Sequence, residues 1–151
     1  MRAFQVTGSG AAPRHADLAK PVPGPGEIRV RIAACGLNFA DLLMIRGTYQ
    51  DTPPPPFTLG MEVSGTVEAL GDGVTAPAVG TRVAVFAGHG GLAEFGVFPA
   101  ARALPIPDAM SFTQAAARQS ANDKTCHSGR RPTTAPAPKI ASSPNANAFR
   151  S

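Results

Sequence analysis

The chain has 151 residues, 43% of them hydrophobic and 16% charged, a balance that excludes a highly charged disordered polymer and suits a soluble domain with its own core. Sixteen glycines and sixteen prolines interrupt the chain too often for a helical bundle and point to a mainly β fold. The formal charge of +4 is uneven: residues 1–117 hold eight Lys/Arg against nine Asp/Glu, and residues 118–151 hold six against one. The part able to fold therefore offers no electrostatic case for nucleic acid.

In chain order, Met1 to Val6 is the first strand candidate, followed by a turn-rich segment through Pro21-Val22-Pro23-Gly24-Pro25-Gly26. Ile28, Val30 and Ile32 alternate with Arg29 and Arg31, which predicts a strand with one apolar face. Phe39 to Arg46 is the best helical stretch, with Asn38 as N-cap and Gly47 as stop signal. Pro53 to Pro56 form a run that reads as a rigid connecting loop rather than a ligand for an aromatic groove. From Met61, Val63, Gly65, Val67 and Ala69 alternate with Glu62, Ser64, Thr66 and Glu68 up to Gly71-Asp72-Gly73, a second strand of period two. Shorter strands are predicted at Arg82 to Ala87, Gly91 to Phe98 and Ala103 to Ile106, and Ser111 caps the start of a helix running to Ala117. Short strands between strong turns are the pattern of a small barrel or sandwich.

From Arg118 onward apolar periodicity stops, and Ile140 and Phe149 are the only large apolar side chains. Such a segment cannot offset its ordering entropy by burial, so residues 118–151 are expected to be a basic, disordered tail. No window approaches 18 consecutive apolar residues, and the start MRAFQVTGSG lacks the features of a signal peptide. With two cysteines there is no disulfide framework. These readings predict a cytoplasmic protein without membrane contact.

Motifs with chemical potential are few. Gly8-Ser9-Gly10 lacks the third small residue that would open a phosphate-binding helix and reads as a turn, and Gly88-His89-Gly90-Gly91 reads as a glycine-rich hairpin rather than a ligand loop. No set of Cys, His and carboxylates has metal-ligand spacing; Cys126-His127 has no second pair. Cys35, at the end of an apolar strand, reads as a buried inert thiol, and His15 and His89 as surface groups. Tyr49, the one tyrosine, is either a packing residue or the wall of a binding site.

Gly36-Leu37-Asn38-Phe39-Ala40-Asp41, Arg46-Gly47-Thr48-Tyr49, the run from Pro55 through Gly60-Met61-Glu62 to Val67, and Val79-Gly80-Thr81-Arg82-Val83 together resemble the medium-chain dehydrogenase/reductase superfamily, in its zinc-independent quinone oxidoreductase branch. The resemblance covers residues 1–117. It implies a GroES-like, partly open β-barrel with short helices, the catalytic half of an NADPH-dependent reductase of quinones or α,β-unsaturated carbonyls. Where zinc-dependent relatives carry a cysteine and a histidine ligand, this chain has Asn38 and Met61, so the resemblance implies no zinc. It also implies that Asn38 and Tyr49 are catalytic and cofactor-binding positions on the nicotinamide side of the cleft. Asp41 and Glu62 match motif positions too, with helix packing and core hydrogen bonding as the competing reading.

Family members continue past Ala117 into a Rossmann half, whereas a βαβ unit alone takes roughly 30 residues and the tail shows no glycine-rich nucleotide loop. The abrupt change in composition is read as a frameshift or truncation of a longer gene, with a natural tail as the alternative. On this reading the chain alone binds no NADPH tightly and is inactive, and apolar surface near Phe39, Tyr49 and Phe57 is left open to self-association. Two competing readings are a non-catalytic GroES-like binding module whose basic tail recruits an acidic partner, and a co-chaperonin-like ring subunit suggested by the barrel alone.

Overall fold

A computed structural model describes residues 1–117; the expected disorder of residues 118–151 and the Cys126-His127 pair lie outside them. Eight strands form two antiparallel sheets. β1 (Arg2–Val6) is the centre of a three-stranded sheet, between β2 (Arg14–Asp17) and β4 (Phe57–Thr58). β3 (Glu27–Gly36), β5 (Glu62–Leu70), β6 (Arg82–Phe86), β7 (Phe95–Pro99) and β8 (Ala103–Pro105) make the second sheet, in the order β7-β3-β5-β6-β8. One α-helix, α1 (Phe39–Arg46), follows β3, and residues 112–117 are helical. The architecture is the mainly β, partly open barrel with short helices that the resemblance implies, and it resolves the residue-level choice between barrel and sandwich.

The apolar alternation of β3 places Ile28 and Val30 in a core with Val63, Val67, Val83, Val85 and Phe98. Each such side chain contributes roughly 1.5–3 kcal/mol by leaving water. Ile32 opposes Gly65 and Ala34 opposes Ser64, so Ala33 is an extra residue on β3. This bulge shifts the phase of the strand. Cys35, which simple alternation from Ile28 would turn away, consequently packs against the same core.

The segment expected as one strand from Gly91 to Phe98 divides its work. β6 and β7 are not neighbours, so Gly88 to Gly91 is a crossover rather than a hairpin. Its glycine amides are engaged: Gly88 N–H donates to Met61 O, Gly90 N–H to Thr58 O and Gly91 N–H to Gly60 O, and the next amide, Leu92 N–H, donates to Leu59 O. Ala93 then bridges Ala3 of β1, which ties the two sheets together before β7 begins. The Gly8-Ser9-Gly10 loop is likewise a turn, with Gly10 N–H donating to Ile45 O at the C-terminal end of α1. That end of a helix presents carbonyls and repels phosphate.

Two elements were not anticipated. β2 is mostly exposed and has no apolar alternation, and β4 is two residues long; both exist through pairing with β1. The proline run joins α1 to β4 and contains a cis Pro55–Pro56 bond.

Candidate active site

The candidate site forms where β3 ends, α1 begins and β5 starts. Asn38 is the N-cap residue of α1, in extended conformation at φ −121° and ψ 153°. Its main chain is held by Asp41, whose Oδ2 accepts the Asn38 N–H at 2.9 Å while Oδ1 accepts the Gly60 N–H at 3.0 Å. Asp41 is only 5% exposed, and this pair of backbone donors satisfies its charge. The same contact pins the loop before β5 to the first turn of the helix. At the far end Gly47, at φ 69°, closes α1 in the left-handed conformation that glycine adopts without strain.

The side chain of Asn38 is held separately. Its Nδ2 donates to Glu62 Oε1 at 2.8 Å, and Glu62 is 1% exposed. The period-two reading of β5 assigned Glu62 and Ser64 to a polar face. That face is buried, because the 107–117 segment covers it: Ser64 Oγ donates to Phe112 O at 2.6 Å, and Ala115 and Ala116 are buried. Arg82 holds the segment down by donating to the carbonyls of Pro107, Asp108 and Met110 and lying 4.4 Å over the Phe112 ring. Ser111 and Gln114 complete a reciprocal cap at the start of the helix, Gln114 N–H donating to Ser111 Oγ and Ser111 N–H to Gln114 Oε1. Gln114 three residues after Ser111 was the sequence signal for this cap.

Tyr49 sits past the other end of α1, roughly 12 Å along an eight-residue helix from Asn38. It is half-buried, and it packs against the second core of Val6, Met44, Phe57, Leu59 and Met61. The structure thus brings Asn38, Asp41 and Glu62 together and sets Tyr49 apart, with the exposed Phe39 (71%) and Leu42 (51%) on the helix between them. Phe57, expected in open apolar surface, is instead part of this core at 5% exposure, because β4 pairs with β1 and turns it inward.

Cys35 lies behind the site. Burial, reinforced by the nearby Asp41 charge, pushes its thiol up to about 12, so it stays protonated and is a poor nucleophile. A cavity of about 580 Å³ opens on its other side, lined by Ile32, Ala34, Cys35 and Leu92 with Arg2 and Glu94 at the polar end. Neither Asn38 nor Tyr49 borders it. Met61 is buried in the second core, and among the described residues no three of His, Cys, Asp and Glu gather as a metal-holding group. No helix among them is long and apolar enough to cross a membrane.

Residues 24–108 match the family model of the alcohol dehydrogenase GroES-like domain. The chain belongs to that family. It is 46% identical over 99 residues to the human synaptic vesicle membrane protein VAT-1 homolog, covering 66% of this chain and 25% of that protein. It is 34% identical over 118 residues to rat quinone oxidoreductase, covering 78% of this chain and 36% of the relative. Among solved structures it is similar to the quinone oxidoreductase of Thermus thermophilus, described with its NADPH complex, at 39% identity and a TM-score of 0.67 over 78% of this chain and 36% of the other. The relatives are VAT-1 homologs and quinone oxidoreductases of the medium-chain dehydrogenase/reductase superfamily, and the chain spans between a quarter and about a third of the length of the two curated relatives.

Proposed function

We propose that residues 1–117 are the substrate-side, catalytic half of an NADPH-dependent oxidoreductase acting on quinones or α,β-unsaturated carbonyls without zinc, in the cytoplasm. The observation that carries this reading is Asn38, half-buried at the head of α1 with its main chain held by buried Asp41 and its side-chain amide by buried Glu62, in a chain related to a quinone oxidoreductase described with NADPH. The residues present suit the nicotinamide end of that cofactor: an amide for a carboxamide or carbonyl, and the exposed Phe39 and Leu42 side chains on the same helix for a flat ring, with Tyr49 as a more distant wall past the far end of α1. They suit its pyrophosphate less well, since Gly10 of one glycine-rich loop and Gly88, Gly90 and Gly91 of the other donate their amides to the chain's own carbonyls. When bound, NADPH supplies the hydride. The part of this chain is to orient ring and acceptor and to exclude water beside them.

Zinc independence follows from donor chemistry. An amide at Asn38 and a core thioether at Met61 are poor ligands for Zn²⁺, and Asn38 is already engaged with Glu62. The exposed Leu37, Phe39 and Leu42 favour self-association of the isolated chain.

The test is an amide NMR titration of the 151-residue chain with reduced nicotinamide mononucleotide, alongside calorimetry with NADPH. Shifts clustered at Asn38, Phe39 and Tyr49, with no low-micromolar NADPH binding, support the reading. Shifts confined to the cavity beside Cys35, or low-micromolar NADPH binding by this chain alone, overturn it.

A further inference from the structure

We propose that Glu62 is a positioning residue that fixes the direction in which the Asn38 side-chain amide faces its ligand; the inference rests on the reading of Asn38 given under Proposed function. The main chain of Asn38 needs nothing from Glu62, because Asp41 already accepts its N–H at 2.9 Å. Glu62 acts on the side chain instead, through the 2.8 Å bond from Nδ2 to Oε1. A carboxylate only accepts hydrogen bonds. The contact therefore selects one of the two flips of the amide, with nitrogen toward β5.

The carboxylate is itself confined. A methyl group added at Gly36 would come within 3.3 Å of Glu62 Oε2 and 3.3 Å of the Ala116 carbonyl oxygen, so Glu62 is wedged between β3 and the 112–117 helix. Two residues along the same face, Ser64 is tied to Phe112 O. With one N–H committed to Glu62 and the side-chain oxygen turned to the Asp41 backbone N–H in the capping box of α1, the amide retains a second N–H, a donor that suits the carbonyl of a carboxamide or a quinone. Preorganisation of this kind spares the ordering cost when the ligand arrives.

The experiment uses the labelled 151-residue chain and reads the Asn38 side-chain amide directly. In the wild type its order parameter should approach that of rigid backbone, about 0.85. Glu62→Gln, which keeps an acceptor, should retain that order. Glu62→Leu should lose it and bind reduced nicotinamide mononucleotide about tenfold more weakly, the effect of one hydrogen bond. A wild-type amide as mobile as a free side chain, below about 0.6, overturns the proposal, as does a folded Glu62→Leu that binds the mononucleotide like wild type. If Glu62→Leu does not fold, the wild-type and Glu62→Gln order parameters decide. If the mononucleotide leaves Asn38 unmoved in wild type, the functional reading fails, while the order parameters still decide whether Glu62 holds the amide.

Discussion

Replacing Asp41 should reveal how strongly the site depends on one buried carboxylate. Its two oxygens accept from the backbone amides of Asn38 and Gly60, at 2.9 and 3.0 Å, and Gly60 is itself buried. In Asp41→Ala both donors lose their acceptor. An unmade bond to a buried donor costs about 1–3 kcal/mol, and the Asn38 amide, only partly buried, recovers some of that from water. The expected loss is about 2–5 kcal/mol, a large share of the ~5–15 kcal/mol typical of a domain. Asp41→Asn should cost less, about 1–3 kcal/mol, because one amide oxygen can serve one donor while its NH₂ opposes the other. Urea denaturation followed by circular dichroism measures both. The midpoint should fall with little change in slope, since neither variant alters the apolar cores that dominate the exposed surface. An Asp41→Asn midpoint corresponding to a change within 0.5 kcal/mol, about the scatter of ordinary surface substitutions, would refute the assignment of Asp41 as the tie between α1 and the β4–β5 loop.

Other consequences are as direct. With its thiol pushed up to about 12 by burial, Cys35 in a Cys126→Ser background should resist disulfide-exchange reagents at pH 8 until urea unfolds the chain. Above the usual cysteine range the unfolded thiol ionises while the folded one does not, so stability should also fall as pH rises from about 9; labelling at the rate of a small free thiol would contradict this. Arg82→Ala removes the bonds to Pro107, Asp108 and Met110 and should raise hydrogen exchange across 107–117 while β3 and β5 keep their protection; uniform protection would deny Arg82 its clamping role. Glu68 is held below the usual carboxylate range, first by the Lys20 hydrogen bond and then by Arg29. Its depressed pKa contributes stability above the unfolded value and loses it as pH falls through the folded one, so the small deficit of Glu68→Gln at pH 6 should close as pH falls below the usual carboxylate range. A deficit independent of pH would place the effect in packing.

The sequence discloses elements whose burial follows a simple period. β3 and β5 stand out because their apolar residues line one core, and α1 is bounded as expected because Asn38 and Gly47 carry local cap signals. β2 and β4 left no such trace, since nothing local dictates them: a four-residue polar strand and a two-residue strand exist through pairing with β1. The Ala33 bulge was equally silent, and with it the reason Cys35 faces the core. The site was legible in part. Asn38 and Tyr49 could be named by resemblance, but the burial of Glu62 and Ser64 could not, because a segment almost fifty residues later in the chain covers them.

Among the described residues, Asn38 is held by Asp41 from α1 and Glu62 from β5, with Gly36 and the 112–117 helix behind Glu62. On the proposed function, the side that meets nicotinamide is therefore held by residues of the barrel and its short helices. Pyrophosphate recognition is a separate demand, usually met by free amides at the start of a helix, and here Gly10, Gly88, Gly90 and Gly91 have spent theirs on pairing. The two demands should separate experimentally: fusing a nucleotide-binding half to residues 1–117 should raise NADPH affinity far more than it alters the order of the Asn38 amide. If that order instead appears only on fusion, the geometry of the site belongs to the interface and not to the barrel.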